Sequence, residues 1–202
     1  MQDLTLAGGL ARGFNSRRGG ASGSGYGGAV FNLNGSLTVV NSTLAGNTVG
    51  GANAAGGALY SLGLDGVRAS AVPGQTATIG TASGAQATLV NSLFANTAGG
   101  TDIVNNNGTV AGSNNLATQA AGLPPGVAST TTALLNLGPL AANGGPTQTL
   151  AIATGSAALA AGVDTTQAPY NLTTDQRGPG FPRKTGTAVD LGAFQAVRRR
   201  KR

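Results

Sequence analysis

Internal repetition constrains this chain more than any other feature, because a repeated unit limits the fold to architectures that stack copies of one element. The segment GGAVFN at residues 27–32 recurs as GGALYS at 56–61 and, more loosely, as GGTDIV at 99–104. A second segment, LTVVNSTLA at 37–45, recurs as ATLVNSLFA at 87–95. Each unit therefore contains a Gly-Gly start, a short strand, a turn and a second strand that ends in Val-Asn-Ser.

The predicted strands are short and are separated by Gly, Asn and Ser, a pattern that indicates a solenoid. Asn and Gly tolerate the positive φ angles that sharp corners require. The candidate corner residues are Asn32, Asn34, Asn41, Asn47, Asn91, Asn96 and the run 105–107. Stacked about 4.8 Å apart, the coils would align Val, Leu and Ile into a narrow core. We therefore predict an all-β solenoid of about three to four coils.

The repeat pattern divides the chain into four parts. Residues 27–118 are expected to hold the coils, with an insertion near 62–86 that is rich in Gly, Ala, Ser and Thr. Residues 1–26 are expected to form a flexible or incomplete N-terminal coil. Residues 119–197 are predicted to form an irregular C-terminal closing region that ends in a strand near 189–194. A basic tail follows at 198–202.

Aligning the repeats also predicts their register. Val39 aligns with Leu89, and Phe31 aligns with Tyr60. In a parallel stack the members of each pair lie on the same wall, with Val39 and Leu89 pointing inward.

The open N-terminal end of such a stack carries unpaired backbone groups, which favour association. We expect this end either to lack upstream coils or to stack on another copy of the chain.

The residue types that are missing exclude several kinds of chemistry. The 202 residues include no Cys and no His, and all six acidic side chains are Asp. Ser-His-Asp triads, thiol nucleophiles, tetrahedral zinc sites and disulfide frameworks are therefore excluded. Glycoside hydrolysis usually needs two carboxyl groups across one bond, which singly placed Asp residues do not favour. We assign no catalytic residue and no metal ligand.

The net charge of +6 comes mainly from the end of the chain, because five of the twelve basic residues lie at 198–202. The rest is nearly neutral, and only 4% of residues are aromatic. This distribution does not resemble a nucleic-acid-binding face, which spreads Lys and Arg over a folded surface. The most apolar stretch, 150–163, is shorter than the roughly 20 residues of a membrane span. We expect neither a nucleic-acid partner nor a membrane span.

The C-terminal third carries a family resemblance. Its motifs are LGPLAANGGPTQTL at 137–150, GSAA at 155–158, DQRG at 175–178 with Pro182 and Arg183, and DLGAF at 190–194. In order and spacing these resemble the choice-of-anchor Q region of bacterial right-handed parallel β-helix surface proteins. One departure is Ala160, where that family usually has Asp.

The resemblance implies a right-handed, pectin-lyase-like β-helix outside the cell or on its surface, with any signal and anchor beyond these 202 residues. It implies structural roles for Arg177, Asp190, Gly144, Gly145 and Pro146. We expect the Arg177 guanidinium to bind Asp190 or the loop carbonyls around Gly178 and Pro182, and so to hold the closing region on the last coil. The expected function is a non-enzymatic scaffold in adhesion or cell-envelope interaction, with surface glycans as partners.

The alternative is a glycan-binding or polysaccharide lyase-like β-helix, because some such lyases combine calcium-bound carboxylates with a basic residue. Asp102 and Arg68 are the weak candidates for that binding site, and calcium is the one cofactor left open. The plainer interpretation of Asp102 is a solvated turn residue. Ice or mineral binding through Thr rows ranks last, since Thr76 and Thr78 are not spaced at coil intervals.

Overall fold

A computed structural model describes residues 1–14, 22–64, 67–69, 76–78, 84–119 and 121–197. The chain is nearly all β. The first fifteen strands are β1 (Thr5–Ala7), β2 (Leu10–Arg12), β3 (Val30–Leu33), β4 (Ser36–Val40), β5 (Thr43–Ala45), β6 (Thr48–Gly50), β7 (Leu59–Leu62), β8 (Val67–Ala69), β9 (Thr76–Thr78), β10 (Gln86–Val90), β11 (Leu93–Ala95), β12 (Ile103–Asn106), β13 (Thr109–Ser113), β14 (Asn115–Ala117) and β15 (Val127–Ser129). The remaining elements are helix α1 (Thr132–Leu135) and strands β16 (Leu137–Ala141) and β17 (Thr149–Ile152).

Strands one repeat apart pair in parallel, which gives the molecule a solenoid-like stack. The longest sheet has the order β1-β5-β11-β14-β15, and two others have the orders β3-β7-β12 and β4-β10-β13. A fourth, shorter sheet pairs β2 with β6. One coil therefore has four sides, formed in chain order by β3, β4, β5 and β6.

The predicted register is confirmed. Val39 pairs with Leu89 in a parallel ladder, and Phe31 pairs with Tyr60 in another. Val39 and Leu89 are both fully buried. The inner core consists of Val39, Leu44, Ala58, Leu59, Ala87, Leu89, Phe94, Ile103, Val110 and Ala117. Repeated apolar positions thus stack on one another inside the coils.

Asparagine occupies the corners, as predicted for part of the set. Asn34, Asn41, Asn91, Asn96 and Asn107 have φ angles between 44° and 56°. Asn114, which the sequence analysis did not include, has a φ of 54°. The prediction is wrong for Asn32, Asn105 and Asn106, which lie within strands. Asn47 lies at the corner between β5 and β6 as predicted, but the positive φ there belongs to Gly46.

The C-terminal region packs along the side of the coils and buries the outer face of β5 and β11. Its second apolar cluster, the outer core, joins Ala45, Leu93 and Ala95 to Leu135, Ile152, Ala158 and Leu191. Strands β5 and β11 are therefore buried on both faces. The strand expected near 189–194 is not formed, because Val189 makes only an isolated bridge to Gly162 and the chain then bends.

The remaining predicted segments are only partly covered by the described residues. Within the insertion, β8 and β9 form an antiparallel hairpin. At the N-terminal end, β1 pairs with β5 and β2 with β6, so the first coil supplies strands on two of the four sides. The basic tail at 198–202 lies outside the described residues.

Candidate functional site

Asp102 lies immediately before β12 and is fully buried, so the solvated-turn interpretation is wrong. Its Oδ2 accepts hydrogen bonds from the backbone N–H groups of Thr118 and Gln119, both at 2.8 Å. The Thr118 hydroxyl also donates to Oδ2, and the Thr97 hydroxyl donates to Oδ1. A carboxylate held by this many donors fixes the turn after β14 onto the wall of the coils.

Arg68, the other candidate for the binding site, lies in β8, where its backbone pairs with Ala77 of β9. Its side chain lies outside the described part of the chain, so the expected pairing with Asp102 stays a prediction. Among the described residues there is no group of three or more His, Cys, Asp or Glu side chains that could hold a metal ion.

Arg177 sits at the centre of a buried ionic cluster in the C-terminal region. Its Nη2 donates to Asp175 Oδ2 and to the Gln195 carbonyl oxygen, both at 2.6 Å. The guanidinium lies between two rings, 4.1 Å from the centroid of Phe181 and 3.8 Å from that of Phe194. The partner expected from the sequence was Asp190 or nearby loop carbonyls; the carboxylate partner is Asp175.

Glycine is required where the loop at 143–146 contacts this cluster. A Cβ on Gly145 would lie 2.5 Å from Arg177 Cα, and one on Gly144 would lie 2.7 Å from Phe181 Cζ. Gly144 also has a φ of 105°. These contacts explain the structural role expected for both glycines, while Pro146 follows them in the same loop.

Asp190 organises a different part of the C-terminal region. Its carboxylate accepts hydrogen bonds from the backbone N–H groups of Ala160 and Ala196, at 2.7 and 2.8 Å. Its carbonyl oxygen accepts from Asn41 Nδ2 at 3.5 Å and from Arg183 Nη2 at 3.4 Å. The Asp190 carboxylate therefore links Ala160 to Ala196, next to the corner residue Asn41.

Three asparagines at one corner of successive coils attach the coils to the C-terminal region. Asn41, Asn91 and Asn114 follow β4, β10 and β13 by one residue, so they lie at the same corner of successive coils. Asn91 exchanges two hydrogen bonds with the backbone of Val163, at 2.8 and 3.0 Å. Asn114 donates to the Ala161 carbonyl oxygen at 2.9 Å. The side-chain amides thus take the place of water as hydrogen-bond partners of the backbone at residues 161–163.

The first coil is tied to the C-terminal region by an ion pair that links residues 180 positions apart. Arg183 Nη1 donates to Asp3 Oδ1 at 3.0 Å, and the Arg183 side chain is fully buried. Burial raises the pKa of Asp3 to about 6, although Arg183 acts in the opposite direction. A second link runs from the Thr5 hydroxyl to Gln176 Oε1 at 2.6 Å.

Sequence reasoning missed Asp3, Asp175, Arg183 and Gln195 as members of these clusters. Two of these four residues, Asp175 and Arg183, lie in the motifs at 175–178 and 182–183, which were the available signal for them. Asp3 had none, since its partner lies at the other end of the chain.

Two of the pockets on the described surface lie beside these elements. One of about 330 Å³ lies at the last coil and is lined by Asn114, Asn115, Gly126, Val127 and Ala128. Another of about 180 Å³ adjoins Phe181 and Val197 in the C-terminal region. Rings also cluster on the outer face of β3 and β7, where Tyr60 stacks on Phe31 with 5.8 Å between centroids.

Comparison of the chain with protein-family models, with curated proteins and with solved structures finds no match in any of the three. In the part of the chain that the structure describes, no helix has the length and apolar character needed to cross a membrane.

Proposed function

We propose that this chain is a non-enzymatic scaffold of a secreted or cell-surface protein, built as a right-handed parallel β-helix that serves adhesion or cell-envelope interaction. The observation that carries the proposal is that the carboxylates of the chain are bound by its own groups. Each of the five Asp side chains that the structure describes binds groups of the protein itself: Asp3, Asp102, Asp164, Asp175 and Asp190.

These contacts favour a rigid particle. Asp102 joins coil to turn, Asp175 and Arg177 fix the C-terminal region, and Asp3 with Arg183 joins the first coil to that region. Side chains bound in this way hold the stack along its whole flank. A stack with a fixed flank keeps the remaining walls in constant register, which suits presentation of a repetitive surface.

The alternative, a polysaccharide lyase-like site, requires Asp102 to meet a substrate or a calcium ion. Calcium takes six to eight oxygen ligands, whereas both Asp102 oxygens are bound by neighbouring N–H and O–H groups. This geometry favours a structural carboxylate and therefore the scaffold.

A glycan-array screen with and without calcium, paired with ultraviolet detection of unsaturated products on the glycans that bind, tests the proposal. We expect calcium-independent retention of envelope or surface glycans without product formation. Product formation that disappears in a folded Asp102→Asn variant would establish the lyase instead. Binding to no surface polymer, and to no intact cell envelope, would overturn the adhesion role.

A further inference from the structure

We propose that the junction between the coils and the C-terminal region binds an internal water molecule, held by Asn41, Thr165 and Arg183. The inference goes beyond the scaffold role, because it assigns a ligand site that neither the repeats nor the C-terminal motifs indicate. The water would join one corner of the coils to two loops of the C-terminal region.

Three buried polar atoms are the first observation. Among the described residues, Asn41 Oδ1, Thr165 Oγ1 and Arg183 Nε are buried side-chain atoms without a hydrogen-bond partner in the protein. All three residues are fully buried. Buried polar atoms almost always bind either protein groups or ordered water. Three exceptions therefore point to one shared ligand if the atoms lie together.

Asn41 and Arg183 meet at one oxygen atom. Arg183 Nη2 and Asn41 Nδ2 both donate to the carbonyl oxygen of Asp190, at 3.4 and 3.5 Å. In a planar guanidinium, Nε and Nη2 direct N–H groups to the same side, as in Arg177, where both bind the Asp175 carboxylate. The Nε–H group of Arg183 is thus directed to the side on which Asn41 lies.

The segment at 161–165 brings Thr165 to the same corner. Asn114 contacts residue 161 of this segment, and Asn91, one coil earlier, contacts residue 163. The segment therefore advances two residues for each coil. One further step in the same direction places Thr165 beside Asn41, which lies at this corner of the preceding coil.

Backbone pairing connects Thr165 to Arg183 as well. Leu172 N donates to the Thr165 carbonyl oxygen at 2.9 Å, and Arg183 N donates to the carbonyl oxygen of the next residue, Thr173, at 3.0 Å. The loops that carry Thr165 and Arg183 are therefore adjacent. All three buried atoms consequently converge on one junction.

The chemistry of the three atoms selects water as the ligand. Arg183 Nε needs an acceptor, Asn41 Oδ1 needs a donor, and the Thr165 hydroxyl serves as either. A water molecule satisfies all three, and about three hydrogen bonds are typical of a buried water. An anion has no proton to donate to Asn41 Oδ1, and a cation is repelled by Arg183.

The length of the Asn41 contact agrees with a water-mediated junction. Asn91 binds the flanking backbone directly, at 2.8 and 3.0 Å, whereas Asn41 Nδ2 lies 3.5 Å from its acceptor. Contacts of this length are often completed by a water between the groups. Reversing the Asn41 amide does not remove the need, because Oδ1 would then face the Asp190 oxygen, and two acceptors would meet.

Nuclear magnetic resonance of the ¹⁵N-labelled chain tests the proposal. We expect an Overhauser cross-peak between the Arg183 Nε–H group and water, with the sign of a long-lived bound water. Arg177 is the matched control, since it is also buried but its Nε donates to both oxygens of Asp175, at 3.2 and 3.1 Å. No cross-peak at Arg183, or an equal one at Arg177, would overturn the proposal.

The variant Thr165→Val separates bound water from a signal relayed by the Thr165 hydroxyl, whose proton exchanges with solvent. Valine keeps the shape of threonine and removes this proton. We expect the cross-peak at Arg183 to persist in the folded variant, because Asn41 and Arg183 still hold the water and two partners are enough. Its disappearance would contradict the assignment.

A crystal structure of the chain, soaked in bromide, identifies the ligand directly. We expect a density peak within hydrogen-bond distance of all three atoms and without anomalous signal. A bromide signal at this position would establish an anion site instead. Direct contact between Arg183 Nε and Asn41 Oδ1, with no peak between them, would equally rule out the bound water.

Discussion

Arg177 and Arg183 are buried arginines, an uncommon location for a side chain that keeps its charge. Each is surrounded by acceptors: Arg177 by Asp175 and the Gln195 carbonyl, and Arg183 by Asp3 and the Gly192 carbonyl. A buried ion pair adds little net stability, but removing one partner leaves the other charge uncompensated. Loss of either arginine would therefore destabilise the fold mainly by leaving the carboxylate of its partner without a cation.

Arg177→Ala is expected to lower the free energy of unfolding by about 3 kcal/mol, because Asp175 would remain buried without its cation. Urea unfolding measures this change. Lys184→Ala is the control, since its partner Asp164 is exposed and the pair should contribute little. Equal effects of the two substitutions would contradict the importance assigned to burial.

Ala160 has a φ of 57°, a conformation that is strained for alanine. Ala160→Gly is expected to raise the free energy of unfolding by about 1 kcal/mol by relieving this strain. Gly155→Ala is the reverse control, because Gly155 has a φ of 84° and open space around it; it should destabilise by strain alone. Thermal or urea unfolding of both variants checks the prediction, which fails if Ala160→Gly is destabilising.

At the scale of the elements, the coils and the C-terminal region meet through a column of amides beside a row of apolar side chains. Strands β5 and β11 bury Leu44 and Phe94 in the inner core and Ala45 and Leu93 in the outer core. The corner asparagines next to these strands combine two properties: they adopt positive φ, and they bind the backbone of the flanking segment.

Substitutions at Asn91 separate these two properties. Asn91→Gly keeps the backbone conformation and loses the two hydrogen bonds with Val163, whereas Asn91→Ala also incurs the cost of positive φ. We expect Asn91→Ala to be less stable than Asn91→Gly by about 1 kcal/mol, and both to be less stable than the parent chain. Urea unfolding measures the order, and equal stability of the two variants would contradict the role of the corner conformation.

At the scale of the whole molecule, the Asp3–Arg183 pair joins the first coil to the C-terminal region. Because burial raises the pKa of Asp3 to about 6 from its usual 3.8, the folded state binds a proton that the unfolded state releases. The stability that Asp3 contributes is therefore fully present below about pH 4 and is lost as pH rises through 6.

Between pH 5 and pH 7 the parent chain is accordingly expected to lose about 1 kcal/mol of unfolding free energy from this group. The chain has no histidine to titrate in that window. Asp3→Asn should flatten the dependence. Asp164→Asn is the control and should not, since hydrogen bonds from Lys184 and Thr166 lower the pKa of Asp164 to about 2. Urea unfolding at both pH values measures the slope, and a parent chain that gains stability toward pH 7 would contradict the prediction.

The sequence by itself determined the parallel register, because repeated segments place the same residue types on the same wall, as Val39 and Leu89 show. It also determined several corners, since Asn34, Asn41, Asn91 and others adopt a conformation that asparagine tolerates well. Both are local properties that recur in each unit and can be compared within the chain.

Only the tertiary structure decided what happens beyond the coils. It paired Arg177 with Asp175, buried Asp102, placed Asp3 against Arg183 and laid the C-terminal region along the flank. This region has no repeat, so no internal alignment assigns partners to its charged groups. The partners are set by loops that are distant in sequence and meet only in the folded chain. Where these loops are buried, each charge must be paired, because an unpaired charge inside the protein would be too costly.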